Sequence, residues 1–344
     1  MKYIFLPFSI LYGLVTDVRN YWYDKGFWKE YFFDKPIINV GNLTVGGTGK
    51  TPHVEYLIRL LKDKYSLTTL SRGYGRKTKG FILADTTANS QKIGDEPYQF
   101  YQKFTGEIEV AVGENRVEAI SKILRHNPGN DVIILDDAFQ HRAIKPSLNL
   151  LLIDYSRPIY EDFTFPAGRL RERRHGAKRA DAVIITKNPG ELSNQKQGEI
   201  KDRLKPYLKI NTPIFFTKII YGNPQNCRSK QENLEIGKVL LISGIANPKS
   251  FEEYVKTRFE VVNHLIFNDH HDYTEKDLVE IVAKNNFGGT TILMTEKDMV
   301  KFIPHLNHEL LKGIELYYLP IEIGFLNTDM KNNFDKFVMS HLKV

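Results

Sequence analysis

Cysteine is almost absent: Cys227 stands alone among 344 residues. That excludes an intramolecular disulfide framework and a thiolate metal cluster, and it fits a reducing compartment. Long apolar runs are missing too. The most apolar stretch, Tyr3 to Val15, ends before Asp17 and falls short of the roughly 20 residues that a bilayer span requires. It is also a poor secretory leader, because Pro7 interrupts the run and no small-residue cleavage pattern follows. There is no long Ser, Gln or Pro tract to argue for disorder, no fixed-period repeat to argue for a solenoid, and no recognisable RNA- or DNA-binding module. What is present is ordinary for a folded protein of two domains, with 42% hydrophobic and 26% charged residues. The 48 Lys and Arg against 41 Asp and Glu leave a formal charge of +7, which points to an anionic partner.

After the apolar run, Arg19, Tyr21, Trp22, Tyr23, Lys25, Phe27, Trp28, Lys29, Tyr31 and Phe32 mix aromatics with cations. Such a mixture suits a bilayer interface, although a terminal helix packed on the protein's own core would read the same way. Residues 1–34 are therefore taken as an arm, its helix either membrane-interfacial or core-packed. From Lys35-Pro36 onward the texture changes. Apolar runs at Ile37–Val40, Ser66–Leu70, Ile108–Val112, Val132–Leu135, Leu148–Ile153 and Ala182–Ile185 recur at helix-separated intervals, the rhythm of a parallel sheet covered on both faces. The reading is an α/β fold with a P-loop NTPase-like sheet domain over 35–212. A linker of extended, half-exposed strand follows over 213–236, and then a smaller α/β domain over 237–344.

The first of these strands runs into Gly41-Asn42-Leu43-Thr44-Val45-Gly46-Gly47-Thr48-Gly49-Lys50-Thr51-Pro52, and a helix is predicted from about Pro52 to Leu61. Glycines let such a loop fold its N–H groups inward around phosphates, and the helix start adds partial positive charge. Thr44, Val45, Gly46, Gly47, Thr48, Gly49, Lys50 and Thr51 are thus the candidate ATP cradle, with Lys50 on the β and γ phosphates and the Thr51 hydroxyl on Mg2+. Thr44 stands where the strict pattern has its first glycine. A second strand ends in Asp136 and Asp137, a Walker B-like carboxylate pair that a parallel sheet would bring to the same edge as additional Mg2+ ligands. The cationic run Arg169, Arg171, Arg173, Arg174, Lys178 and Arg179 is either a solvated face or a surface for phosphate groups. Thr186-Lys187 faintly suggests a guanine-reading motif, so a GTPase-like reading stays open on the residues alone, as does a non-enzymatic nucleotide-binding scaffold.

Taken in order, Gly41 to Pro52, Ser71-Arg72-Gly73-Tyr74-Gly75-Arg76, Gly94-Asp95-Glu96-Pro97, Leu135 to Arg142, Pro166 to Glu172, Asp269-His270 and Thr295-Glu296-Lys297-Asp298 resemble one family. It is that of the lipid A tetraacyldisaccharide 4'-kinases of Gram-negative bacteria, and it shares the departure at Thr44. The resemblance implies transfer of the ATP γ-phosphate to the 4'-hydroxyl of a tetraacylated glucosamine disaccharide 1-phosphate. It places that reaction on the cytoplasmic face of the inner membrane, against an anionic surface. It also implies catalytic roles for Asp95, His270 and Lys50, metal binding by Thr51, Asp136 and Asp137, and cleft positions for Arg72, Arg116, Arg171 and Glu172. His271 follows His270 directly, and the Asp-His order favours His270. A monomer with no nucleic-acid partner is expected.

Overall fold

The computed structural model describes residues 2–232, 236–285 and 290–342; part of the expected linker, 233–235, lies outside the described residues. Eight strands come first: β1 (Ile37–Asn42), β2 (Leu67–Ser71), β3 (Ile82–Leu83), β4 (Glu109–Val112), β5 (Val132–Asp136), β6 (Leu148–Asp154), β7 (Ala182–Thr186) and β8 (Ile214–Tyr221). Then follow β9 (Gln225–Asn226), β10 (Lys238–Ser243), β11 (Glu260–Ile266), β12 (Thr290–Thr295), β13 (Leu316–Leu319) and β14 (Ile321–Phe325). They form a nine-stranded sheet ordered β14-β8-β7-β6-β1-β5-β2-β4-β3 and a five-stranded sheet ordered β11-β10-β12-β13-β9. In the large sheet only the edge pairs β3–β4 and β8–β14 are antiparallel. Side chains of β1, β2, β5, β6 and β7 are buried throughout, because helices or loops cover both faces of the sheet.

Alternation within the strands sorts two layers. Ile38, Val40, Ile134 and Leu150 pack under the helices Lys50–Leu61, Asp95–Lys103 and Thr328–Ser340. Ile37, Ile133 and Leu135 face the opposite way, against the helix Arg116–His126.

The expected boundaries at 213–236 and 237–344 need correction. β8 is no linker strand: it pairs in parallel with β7, and Phe215, Phe216 and Thr217 are buried in succession. The chain crosses to the small sheet only after Tyr221, and it returns at Pro320. β14 then lies antiparallel along β8, from Ile321 opposite Tyr221 to Phe325 opposite Thr217. Ile323, Phe325, Phe334 and Val338 join the core over the Lys50–Leu61 helix, so burying this apolar set draws residues 321–342 of the expected small domain back to the large sheet.

The amino-terminal helix, Leu6–Asp24, is turned inside out relative to a water-facing helix. Its buried residues are Ser9, Gly13, Thr16 and Asn20, a spacing of three and four that defines one face. That polar face docks on the loop between β6 and β7. The Ala167 N–H donates to Ser9 Oγ (2.8 Å), Asn20 Nδ2 donates to Glu172 Oε2 (2.7 Å), and Asp17 pairs with Arg173 (3.2 Å). The apolar side chains point outward, with Phe8, Leu11 and Val15 about 61%, 61% and 62% exposed. Among the described residues no helix is long and apolar enough to cross a membrane.

Candidate active site

The helix after β1 begins at Lys50, two residues before the expected Pro52, since proline is tolerated in a first turn whose N–H groups have no helical partner. Gly49 caps it at φ 83° and Gly46 turns at φ 105°, left-handed values that glycine adopts without a Cβ penalty. Side chains outside the motif pin the loop. Asn42 Nδ2 donates to Thr48 Oγ1 (2.9 Å), and the Thr186 hydroxyl donates to the Thr48 carbonyl (2.8 Å). Val45 N–H donates to the Arg169 carbonyl (2.8 Å), and Thr44 bridges Leu170. Lys187, held by Asp154 at 2.9 Å, reaches the Gly47 carbonyl. A Cβ built on Gly46 or Gly47 would meet nothing within 4 Å, so the loop opens on free space of the kind a phosphate chain needs.

Beside the loop stand the carboxylates. Asp137, at φ 54°, lies 3.6 Å from Lys50 and takes both arms of Arg171, at 3.0 and 3.2 Å. Burial opposes its charge, yet Lys50 and Arg171 hold it below the ordinary carboxylate range. Asp136 is pushed up to about 7, chiefly by burial, with Asp137 and Glu96 adding to the rise and Lys50 opposing it. Its Oδ2 accepts from Ser71 (3.2 Å), whereas its buried Oδ1 has no partner among the described residues. A buried, unsatisfied carboxylate oxygen beside Lys50 and the Thr51 turn is a donor set suited to Mg2+, a hard cation bound by one or two carboxylates together with substrate phosphates.

The other candidates divide. Asp95 opens the helix Asp95–Lys103, which packs against the helix Glu296–Phe302 of the small sheet. Across that junction His270 Nδ1 lies 3.1 Å from Asp95 Oδ2. His271 instead turns to Asp277 (3.0 Å) and stacks on Phe267. Arg72 is exposed, while Arg116 is buried and donates to the Gly113 carbonyl. Burial lowers Arg116 to about 10 against the attraction of Asp136. Glu172 does not line a cleft. It is wholly buried and takes Arg179 (2.6 Å), Asn20 (2.7 Å) and Gln140 (3.2 Å), which joins the arm to the large sheet. In the cationic run, Arg171, Arg173 and Arg179 are paired with the protein's own carboxylates, Asp137, Asp17 and Glu172.

Lys187, Asn42 and Ser71 stand in quoted motifs, but motif reading gave none of them a part in this site. Their signal was positional: each stands at or just past the C-terminal end of a buried parallel strand, the edge where such sheets bind ligands.

Residues 1–342 match the family profile described as tetraacyldisaccharide-1-P 4'-kinase. The chain belongs to this family. A tetraacyldisaccharide 4'-kinase of Flavobacterium johnsoniae is 46% identical, with 100% of this chain and 98% of that protein covered. One from Flavobacterium psychrophilum is 44% identical over 98% of this chain and 96% of its own length. Among solved structures, LpxK from Aquifex aeolicus in complex with ATP matches with a TM-score of 0.77 at 29% identity, covering 99% of both chains. As a tetraacyldisaccharide 4'-kinase, the protein is an ATP-dependent lipid kinase that works with a divalent metal.

Proposed function

We propose that Lys50, Asp95 and His270 carry the chemistry of this kinase, and that the acceptor hydroxyl enters between the two sheets. The acceptor is the 4'-hydroxyl of a tetraacylated glucosamine disaccharide 1-phosphate. The observation that carries the reading is the Asp95–His270 contact of 3.1 Å, which puts a proton acceptor on the helix whose Glu96 is electrostatically felt at Asp136. Phosphoryl transfer needs little covalent help, so catalysis rests on placing the nucleophile and cradling spreading charge. In this reading Asp95 accepts the hydroxyl proton and His270 orients the carboxylate. Lys50 meets the phosphates from the loop, with Arg72 and Arg116 as further cations at the acceptor side. Asp136, Asp137 and Thr51 would hold Mg2+, which supplies charge neutralisation on the phosphates.

The Leu6–Asp24 helix is proposed to lie in the interface of an anionic membrane, on the cytoplasmic face. Its polar face is committed to Ser9, Thr16 and Asn20 contacts and its apolar face is uncovered, the arrangement an interfacial helix requires. The enzyme is proposed to act there as a monomer. Purified protein, labelled ATP, Mg2+ and a lipid disaccharide 1-phosphate should give a bisphosphorylated product in the presence of vesicles. Absence of that product, with ATP bound, would overturn the assignment.

A further inference from the structure

We infer that Lys297 is a positioning residue of this site, fixing the proton on His270 Nδ1 so that the imidazole donates to Asp95. The inference rests on the reading of Asp95 and His270 as the acceptor-side pair.

The chemistry of the donors decides it. Lys297 Nζ lies 3.2 Å from His270 Nε2. An ammonium has three donors and no acceptor, so the contact requires a lone pair on Nε2. The imidazole is then neutral with its proton on Nδ1, 3.1 Å from Asp95 Oδ2, where an ionised carboxylate can only accept. One chain of donation results, from Lys297 to His270 to Asp95. The other Asp95 oxygen is left for the substrate hydroxyl. Without the ammonium, the ring could carry its proton on Nε2 and turn a lone pair toward the carboxylate.

Lys297 is equipped to stay charged. Burial works against its ammonium, but Glu96 at 3.6 Å and Asp269 at 3.3 Å, with Asp95 behind them, hold it above its ordinary range. It is also held in place. Lys297 occupies the first turn of Glu296–Phe302, where the buried Asp298 accepts from the Gly244 N–H (3.0 Å), from Tyr273 (3.1 Å) and from the Thr295 hydroxyl (2.5 Å). The preceding residue, Glu296, takes Lys103 at 2.6 Å from the helix that Asp95 begins. His270 itself is at φ 61°, a conformation that costs a non-glycine residue energy and persists only where neighbours hold it; Tyr74 packs on its ring with centroids 5.4 Å apart.

The test combines kinetics with 15N spectra of the histidine rings in the full-length protein, His270 being assigned by its loss in His270→Asn. Wild type should show the Nδ1–H form. Lys297→Met should lose that form and lower kcat on the order of a hundredfold, with KM for ATP changed less than about twofold. Lys297→Gln keeps a donor without the charge. It should retain the Nδ1–H form and recover much of kcat, which also separates positioning from misfolding. Unchanged ring signals in Lys297→Met, or wild-type kcat there, would overturn the inference. If Asp95→Ala and His270→Asn were fully active, the underlying pair would fail instead, while the ring spectra would still report on Lys297.

Discussion

His53 offers a quantitative handle on the nucleotide loop. It sits in the helix behind the loop, 2% exposed, with Nδ1 2.6 Å from the Gly49 carbonyl and Nε2 3.0 Å from Thr217 Oγ1. A carbonyl can only accept, so Nδ1 carries the proton and Nε2 accepts from the Thr217 hydroxyl. Burial first, with Lys187 adding, lowers the ring from 6.5 to about 4 even though the Gly49 bond opposes the shift. A depressed folded pKa gives stability that is complete above the unfolded value and lost as pH falls toward the folded one. Between pH 6.5 and about 4 the unfolded chain binds a proton that the native ring refuses, at about 1.4 kcal/mol per pH unit, on the order of 3 kcal/mol in all. His53→Gln places a neutral amide in the same gap, donating to Gly49 and accepting from Thr217. Denaturant unfolding from pH 7.5 to 4.5 should show wild type losing stability relative to the variant with that slope below pH 6.5. Parallel curves, or a His53 ring that titrates near 6.5 in the folded protein, would refute the reasoning.

Lys50→Ala should lower turnover a hundredfold or more, on the order of 3 kcal/mol of transition-state stabilisation; near-normal kinetics in a folded variant would remove Lys50 from the chemistry. Asp95→Ala and His270→Ala should each lower kcat strongly with little change in ATP affinity, and the double variant should be little worse than the worse single, as for residues acting as a unit. Additive losses would give them separate roles. Cutting residues 2–22 would strip Asn20 from Glu172, so the cleaner membrane test is Phe8, Leu11 and Val15 together to Ser. At about 1.5 kcal/mol each or somewhat less, vesicle partitioning should fall on the order of a thousandfold, and unchanged sedimentation would place the anchor elsewhere.

How much of this was legible in the sequence follows from where each signal lives. β1, β5, β6 and β7 were readable because a strand buried on both faces must be apolar throughout, and the loop after β1 because phosphates demand glycines. β14 was not, since Ile321–Phe325 carries nothing to say which sheet it joins; that is settled by the apolar set around Phe334 and Val338. The arm was left between two readings because an amphipathic helix has the same period whichever face turns inward, and the polar partners of Ser9 and Asn20 show which face docks on the protein. Glu172 shares a motif with Arg171 but points the other way, into the protein. Lys297 sat in a quoted motif whose local grammar is a helix cap, with Thr295 accepting from the Asp298 N–H at 3.2 Å; its reach to His270 exists only once the turn after β11 folds against the start of that helix.

The return of the chain at Pro320 has a genetic corollary. Tyr221 and Ile321 are register partners on adjacent strands, so everything between them enters and leaves the large sheet at one point. Replacing that span with a two-residue turn would convert β8 and β14 into an ordinary hairpin and leave the remaining sheet order intact. Such a shortened protein would keep the glycine loop, Lys50 and the Asp136–Asp137 pair but would have lost His270 and Lys297 together. On the roles proposed above, the nucleotide side and the acceptor side thus lie on opposite sides of one chain crossing, joined in the fold by Val300 in the large-sheet core and by Glu296 on Lys103.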